Sequence, residues 1–408
     1  MHTFLFAKKN STLHSASLAD FTIMNSGKDE ILFLSKTKAT TFLGHTKQGE
    51  TNYTSRIVLD FDLNLLKDYH DIVYYNTEES LWKTRHGDTK FILKLYVANN
   101  LLLDEENFVF NIYPMSPTTW REGIGLFNTN PKTTTGVSWQ RATVDDWETA
   151  GGDYLQTDVT GSIYSITVDN TMRLNTKKSA TQYISVDLTQ LVLEYLSNDY
   201  NGFLIKFPDE VEADSVNDYG ALFLYSTHTN TALEPALEIK YNDYQFTSSN
   251  FQYITDVFSD SNTTVIDGQR SGSLIYKQGV NELNNVYIYY KNLQLKYDLS
   301  SVSKIRINTR LKFQKQQYAY KFQMTPTYLV PEQTYYSITE VASGEVVIPF
   351  SEYTQLSVDE LGNYFTLDFN GLHSGYFYKI KLMSKYESET FVYDTEGTFK
   401  VIWVVHTN

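Results

Sequence analysis

The segment from Thr119 to Asp153 constrains the fold of this chain more than any other stretch. It contains Trp120, Trp139 and Trp147, three of the five tryptophans in the sequence. Each indole carries a large apolar area and one N–H donor, so three of them can form a small core without regular secondary structure. Glycines, which adopt positive φ and let the backbone pass close to a ring, recur in the same segment at Gly123, Gly125, Gly136, Gly151 and Gly152. We therefore predict a long loop that packs against a scaffold.

The three tryptophans also permit a second interpretation. If their rings are exposed, Trp120, Trp139 and Trp147 form an aromatic platform on which sugar rings or a partner chain can bind. Packing requires these three rings to be buried, whereas binding requires them to be exposed. The sequence favours packing, because packing alone is sufficient reason for a long ordered loop, and it leaves the binding platform open.

Residue composition indicates an all-β protein. The chain has 32 tyrosines and 24 phenylalanines but only 8 prolines among 408 residues. Aromatic and β-branched side chains suit the half-buried surface of a pleated sheet. Short runs of alternating apolar and polar residues predict strands, as in Arg56–Leu63, where Ile57 and Leu59 share one face. Other runs that we predict as strands include Ala19–Asn25 and Ser273–Lys277.

One segment has the periodicity of a helix. From Leu188 to Leu196, apolar residues recur at spacings of three and four, which places them on one helical face. Asp187 precedes this segment, where its carboxylate can accept hydrogen bonds from the free amides of the first turn. We predict one short helix here, closing an end of a β-sandwich.

Chain length and segment order indicate three modules. A chain of 408 residues is long enough for two or three domains with full cores. We predict an all-β fold in which residues 1–242 form a jelly-roll-like β-sandwich with the one short helix. Two smaller β-sandwich modules follow, a β-rich middle module over residues 243–325 and a C-terminal module over residues 326–408.

Motifs in the first module resemble a known domain type. In chain order they are Trp120-Arg121-Glu122-Gly123, Gly136-Val137-Ser138-Trp139, Trp147 and Gly151-Gly152-Asp153. With the strand-like runs around them, these motifs resemble DNRLRE-type β-sandwich domains over residues 14–242. The resemblance implies a β-sandwich and a place in multidomain surface proteins or phage virion proteins, without implying an activity. Three later segments, Phe350–Leu356, Gly362–Asp368 and Tyr376–Leu382, are similar to C-terminal segments of β-rich virion proteins of tailed phages.

Charge and composition exclude several classes of partner. The formal net charge is −14, whereas proteins that bind nucleic acid concentrate lysine and arginine on one surface. The absence of cysteine excludes disulfides and thiolate metal sites. No stretch reaches the ~20 apolar residues of a membrane span, and Phe4-Leu5-Phe6 is too short for a secretory signal. We therefore expect neither nucleic-acid nor membrane partners, and a protein made in a host cytoplasm and assembled into a virion.

The sequence lacks the catalytic motifs that we sought. Its eight histidines show no His-x-x-x-His or His-Glu-x-x-His spacing, and there is no Gly-x-Ser-x-Gly elbow or phosphate-binding glycine loop. We therefore predict that the protein is not an enzyme and binds no cofactor. Two oxygen-rich loops without EF-hand spacing, Asp214–Gly220 and Asp260–Gly268, are candidates for a structural calcium ion.

A strand predicted over Lys304–Gln314 carries a basic stripe. Lys304 and Arg306 alternate there with Ile305 and Ile307. On an acidic protein such a stripe is most often a solvated strand face, but it can also pair with an acidic neighbour.

Two functions from different classes fit these observations. The first is a non-enzymatic structural protein of a tailed-phage virion, in the neck, tail, baseplate or fibre-attachment region. Such a protein binds copies of itself and other virion proteins through β-sandwich faces, with aromatic anchors. The alternative is a carbohydrate-binding or adhesion module that recognises a host cell-surface glycan through Trp120, Trp139 and Trp147. The lack of an export signal favours the virion.

Overall fold

The structure is a computed structural model that describes residues 1–16, 19–37, 41–42, 45–46, 53–69, 71–101, 108–129, 131–155, 164–168, 183–198, 200–245, 286–311, 329, 333–359, 361–386 and 389–403. The chain divides into two compact units. The N-terminal unit comprises Phe4–Ile239, and the C-terminal unit comprises Met1–Thr3 with Lys240–Asn408. The division after residue 239 lies close to the predicted boundary at residue 242.

Fifteen strands lie in the described part of the chain up to residue 240. Their bounds are β1 His2–Phe6, β2 Lys9–Ala16, β3 Ile31–Thr37, β4 Thr41–Phe42, β5 His45–Thr46, β6 Tyr53–Asp60, β7 Val73–Asn76, β8 Leu81–Thr84, β9 Lys90–Leu101, β10 Phe108–Pro114, β11 Tyr164–Val168, β12 Tyr183–Asp187, β13 Phe203–Lys206, β14 Gly220–Tyr225 and β15 Ala236–Lys240. The helices are α1 Ala19–Thr22, α2 Thr189–Ser197 and α3 Asp209–Ala213, with a 3-10 helix at Leu63–Asp68.

Eleven of these strands form one curled sheet. Its order is β1-β15-β9-β14-β3-β6-β13-β10-β11, with β12 added beside β9 and β2 beside β6. Neighbouring strands run antiparallel, as β6 does with β2, β3 and β13. Because β6 and β9 each have three neighbours, the sheet folds back on itself instead of extending flat. The predicted all-β class is confirmed.

Both faces of β6 are buried. The sequence predicted an apolar face, and Ile57 and Leu59 are fully buried there. Arg56 and Val58 on the opposite face are buried too, because the segment between residues 119 and 153 packs over them. We call this segment the tryptophan-rich loop. The tryptophan-rich loop packs on the face of β6 that the alternation of apolar and polar residues predicted to be the polar one.

The predicted helix is present as α2, and Asp187 binds one amide of its first turn, although the N-cap position is Leu188, which makes no side-chain cap hydrogen bond. Asp187 Oδ1 accepts a hydrogen bond from the amide of Thr189 at 3.0 Å. The buried face of the helix carries Leu191, Val192, Tyr195 and Leu196. In the described part of the chain, no helix is long and apolar enough to cross a membrane.

The strand predicted at Ala19–Asn25 is wrong. Ala19–Thr22 forms α1 instead, and Phe21 and Met24 pack with Phe127 of the tryptophan-rich loop. Seven residues are too few for their periodicity to distinguish a strand from one helical turn followed by a turn of loop.

The C-terminal unit contains two further sheets. Its strands are β16 Val286–Tyr290, β17 Lys296–Asp298, β18 Val302–Leu311, β19 Thr334–Glu340, β20 Val346–Ile348, β21 Ser357–Asp359, β22 Gly362–Asp368, β23 Phe377–Tyr386 and β24 Glu389–Ile402, with 3-10 helices at Glu352–Thr354 and Phe369–Gly371. One sheet has the order β16-β18-β22-β21, and the other has the order β17-β24-β23-β19-β20.

Aromatic stacking joins the two sheets of the C-terminal unit. The ring of Tyr336 on β19 stacks on Phe365 of β22, with centroids 4.1 Å apart. Tyr297 on β17 stacks on Phe369, just after β22, at 4.2 Å. Stacked rings at these distances add to the apolar burial that holds two sheets face to face.

The predicted boundary between residues 325 and 326 does not match the strand pairing. β18 pairs with β22 and β17 pairs with β24, so each sheet takes strands from both sides of this boundary. The predicted middle and C-terminal modules therefore share their sheets and lie in one compact unit. The sequence did not predict this, because pairing between strands far apart in the chain leaves no local pattern. The predicted strand Ser273–Lys277 lies outside the described residues.

Candidate functional site

Two of the three predicted site tryptophans lie inside the protein. Trp120 and Trp147 have exposed fractions of 1% and 5%. Trp120 Nε1 donates to the carbonyl of Asn201 at 2.8 Å, and Trp147 Nε1 donates to the carbonyl of Ser138 at 2.9 Å. They pack in one cluster with sheet side chains that include Leu13, Val58, Tyr113, Met115 and Leu204. Both rings are buried and both indole N–H groups donate to carbonyls of the protein, so neither ring has an exposed face on which a sugar could stack.

Trp139 is the partly exposed member of this group. It packs against the same cluster, so the structure brings the three tryptophans together. The guanidinium carbon of Arg56 lies 4.6 Å from the centroid of the Trp139 ring, a cation–π distance. Arg56 Nη1 also donates to the carbonyl of Gly151 at 2.8 Å. One arginine of β6 therefore anchors two points of the tryptophan-rich loop.

An ion-pair network surrounds the same arginine, and its members are largely buried except for Asp209, which is 67% exposed. Arg56 Nε and Nη2 donate to the two carboxylate oxygens of Glu212 at 3.0 and 2.6 Å. Lys206 Nζ lies 3.2 Å from Glu212 Oε2 and also contacts Asp209. Burial disfavours the ammonium of Lys206, but these two carboxylates outweigh it and raise the pKa of Lys206. The charges are matched, and the network joins β6, β13 and α3.

Glu122 forms a second polar cluster. Its Oε1 accepts from the amide of Asn10 at 3.0 Å and lies 2.9 Å from His228 Nε2, while its Oε2 accepts from Lys28 Nζ at 2.7 Å. Burial raises the pKa of the Glu122 carboxyl, but the hydrogen bonds from Lys28, Asn10 and His228 outweigh it, so the net pKa is lowered. General acid–base catalysis uses these residue types, but here they converge on one carboxylate. The Glu122 cluster ties the tryptophan-rich loop to three distant segments.

The side chain of Asn25 holds the two halves of the loop together. Its Nδ2 donates to the carbonyl of Val137 at 2.8 Å, and its Oδ1 accepts from the amide of Gly125 at 2.7 Å. Beside it, Gly136 has φ +106°, and a Cβ there would lie 2.5 Å from Gly123 Cα. The backbone crosses itself at these glycines, which explains their residue type.

The first candidate calcium loop is closed by its own hydrogen bonds. Asp214 accepts from the amide of Val216 at 2.6 Å, from Asn217 Nδ2 at 2.7 Å and from Tyr219 Oη at 2.7 Å. These bonds, the Val216 amide first, hold the pKa of Asp214 well below its usual range. The second loop, Asp260–Gly268, lies outside the described residues. Within the described ranges, no group of three or more His, Cys, Asp or Glu side chains is placed to hold a metal ion.

The basic stripe of β18 has an acidic neighbour. Arg306 donates to both oxygens of Asp359 at 2.7 and 2.8 Å. Lys304 Nζ lies 3.6 Å from the same carboxylate and 3.9 Å from the centroid of the Tyr364 ring. The Arg306 hydrogen bonds lower the pKa of Asp359 to about 2. This part of the stripe is therefore paired across the sheet.

A cleft opens between β16 and β24 in the C-terminal unit. Its volume is about 440 Å³, and residues 286–288 and 390–396 line it. Tyr290 Oη lies 2.7 Å from Thr395 Oγ1, so this pair links the two strands beside the cleft. A cavity of this size falls in the usual range for ligand sites.

Two tyrosines of β16 form an exposed aromatic pair beside the cleft. Tyr287 and Tyr289 have exposed fractions of 41% and 38%. Their ring centroids lie 6.3 Å apart with planes inclined by 25°. Exposed aromatic pairs of this kind occur at protein and sugar interfaces.

Sequence reasoning missed the Glu122 cluster and the cleft. The partners of Glu122 lie from 94 to 112 residues away along the chain, so no local motif reveals them. The cleft had one visible signal, the run Val286-Tyr287-Ile288-Tyr289-Tyr290, which is aromatic and has no charge. Such a run predicts a strand but not what lies beside it.

No family model matches the chain, and no curated protein sequence matches it. A solved structure of a DUF4785 family protein from Legionella pneumophila is similar at 11% sequence identity and a TM-score of 0.18. The match covers 96% of this chain and 65% of that chain. So low a TM-score carries no argument about fold or function. The DNRLRE resemblance stays a prediction.

Proposed function

We propose that this protein is a non-enzymatic structural component of a tailed-phage virion, in the neck, tail, baseplate or fibre-attachment region. It binds copies of itself and other virion proteins through its sheets. The all-β architecture supports this proposal, as does the resemblance of the tryptophan-rich loop to DNRLRE-type domains. Symmetric self-association is the usual way in which such chains assemble.

The construction of the tryptophan-rich loop carries the proposal. Long loops on a sheet are the usual place for a binding or catalytic site. Here Trp120 and Trp147 are buried in a core that the loop shares with the sheet. Arg56 of β6 binds the Gly151 carbonyl and the Trp139 ring. Glu122 of the loop accepts from the amide of Asn10 on β2. The loop is thus part of the folded scaffold. Sheet faces and edges remain as the surfaces through which the protein acts.

Glycan recognition is the second candidate. Of the three tryptophans, only Trp139 retains partial exposure, and Tyr287 and Tyr289 form the exposed aromatic pair. Aromatic faces of this kind also stack on sugar rings. Partner proteins and copies of this chain use the same anchors, so the two functions require separate measurements.

The native mass of the full chain tests the proposal. Light scattering is measured with and without a panel of bacterial cell-surface glycans. We expect a defined oligomer whose mass is a whole-number multiple of the chain mass and does not change with glycan. A monomer that binds a glycan would overturn the proposal.

Single variants separate the two candidates in the glycan measurement. Trp139→Ala and Tyr289→Ala remove the aromatic surfaces in question. Tyr75→Ala is the control, because Tyr75 is also exposed, at 47%. Glycan binding that is lost in either of the first two variants and kept in the control would establish the glycan function instead.

A further inference from the structure

The cleft of the C-terminal unit is lined by seven consecutive residues of β24, 390–396, and by three residues of β16, 286–288. A wall of consecutive strand residues exposes backbone as well as side chains. If only one face of β24 lined the cleft, every second residue would be missing from its wall, because side chains alternate between the two faces of a strand. Since residues of both faces line the cleft, its long wall is the edge of the strand.

The pairing of β24 supports this description. On one side, residues 389–394 and 398–400 pair with β23. On the other side, β17 pairs only with residues 400–402. Among the described strands, none pairs with residues 390–396 on that second side. In the described part of the chain, the position that β17 occupies at the end of β24 is thus unfilled further along the same strand.

The opposite wall is apolar and closed at one end. β16 pairs with β18 on one side, and its five residues carry no charge. Tyr290 reaches across to Thr395, and a Cβ at Gly397 would lie only 2.4 Å from the Tyr290 ring. Gly397 therefore makes room for the ring that closes this end. An extended segment entering the cleft is flanked by a strand edge and an aromatic strand.

The side chains of β24 alternate in character along the cleft. Phe391 and Tyr393 are partly buried, whereas Val392, Asp394 and Glu396 are exposed. Asp394 lies 2.7 Å from Lys379 and is 67% exposed. With a net charge of −14 on the chain, an occupant with basic residues at alternate positions is complementary to this rim, and an acidic occupant is repelled.

We infer, on the basis of the proposed role as an interaction protein, that this cleft binds an extended basic segment of a partner protein. The segment adds to β24 as a strand beside residues 390–396. Its backbone bonds to the strand edge, its apolar side chains face Phe391 and Tyr393, and its lysine or arginine side chains face Asp394 and Glu396. Main-chain bonds supply the affinity in this mode, and alternate side chains supply the specificity.

Peptide binding to the full-length protein tests this inference. The probe is a fluorescent seven-residue peptide in which lysine and valine alternate, and the control peptide alternates glutamate and valine. We expect saturable binding of the basic peptide alone. Glu396→Lys should weaken it by about fivefold to tenfold. Glu345→Lys should leave it unchanged, because Glu345 is exposed in the same unit but does not line the cleft.

Hydrogen exchange identifies the binding mode. The basic peptide should slow amide exchange in residues 390–396 and leave β20, at the far edge of the same sheet, unaffected. The inference is overturned by equal binding of both peptides, by no binding, or by slowed exchange confined to other strands.

These outcomes are separate from those of the proposed function. A defined oligomer that binds neither peptide would overturn the inference that the cleft binds a basic segment, but it would leave the proposed virion role intact. A glycan-binding monomer removes the virion role, whatever the peptides do.

Discussion

Arg56 and Glu212 form a two-point ion pair, in which Nε and Nη2 of the guanidinium donate to the carboxylate at 3.0 and 2.6 Å. Both side chains are about nine-tenths buried, at 10% and 11% exposure. The same guanidinium lies over Trp139 and binds the Gly151 carbonyl. One residue of the sheet therefore holds an ion pair, an aromatic ring and a loop carbonyl together.

Arg56→Ala should strongly destabilise the N-terminal unit. The substitution leaves the buried Glu212 carboxylate short of a partner, and removing one member of a buried pair costs about 3–5 kcal/mol. Denaturant unfolding followed by tryptophan fluorescence measures the change. Lys8→Ala is the control, because Lys8 is 63% exposed in its pair with Asp62. We expect the control to cost less than about 1 kcal/mol. Equal effects of the two substitutions would refute the anchoring role.

His14 should make the N-terminal unit sensitive to acid. The ring is fully buried, with Nε2 3.0 Å from Ser26 Oγ and Nδ1 against Tyr53 Oη. Burial, with a smaller effect of Lys132, lowers the pKa of His14 to about 3. The unfolded chain binds this proton below about pH 6.5, and the folded chain does not. The contribution of His14 is thus present above pH 6.5 and is lost as pH falls towards 3.

The stability of wild type relative to His14→Gln isolates this effect. It should fall by up to about 1.4 kcal/mol per pH unit below pH 6.5. Denaturant unfolding at a series of pH values gives the difference directly. The same difference at pH 7.5 and pH 4.5 would show that the ring titrates normally in the folded protein.

Asp29 should affect the pH dependence of stability in the opposite direction to His14. Its carboxyl accepts from the amide of Phe127, but burial is the larger effect and raises the pKa of Asp29 to about 6. The folded protein therefore takes up this proton more readily than the unfolded chain. The contribution is present below about pH 3.8 and is lost as pH rises through 6. Wild type should lose stability relative to Asp29→Asn as pH rises from 4 to 7, and an unchanged difference would contradict the raised pKa.

Gly136 should tolerate no side chain. It has φ +106°, and a Cβ would lie 2.5 Å from Gly123 Cα, so Gly136→Ala combines backbone strain with overlap. We expect a cost of about 2–4 kcal/mol in the unfolding free energy. Gly152→Ala retains the strain, at φ +100°, with its nearest contact at 3.5 Å, and should cost less. Gly87→Ala has open space and should be nearly neutral. Another order would contradict the crossing of the loop backbone.

Periodic segments were the ones that the sequence predicted well. The α2 helix and the strand at β6 both carry apolar residues at a regular spacing, and both are present. The burial of the second face of β6 was not predicted, because Arg56 on that face is buried by partners more than 90 residues away. An alternation of apolar and polar residues predicts which face of a strand is exposed to water only if no loop packs over the polar face.

β2 illustrates the opposite failure. Asn10, Thr12 and His14 are buried although the strand reads as polar. Their side chains are satisfied by partners elsewhere in the unit, such as the Glu122 carboxylate for Asn10 and the Phe33 amide for Thr12. Buried polar groups require such partners, and only the folded structure brings them together.

Equilibrium unfolding of Trp147→Ala tests most directly the central claim that the tryptophan-rich loop is part of the folded scaffold. Trp147 is 5% exposed and its Nε1 donates to a loop carbonyl, so truncation should lower the unfolding free energy of the N-terminal unit by about 3–5 kcal/mol. A variant that unfolds at the wild-type denaturant midpoint would contradict the claim.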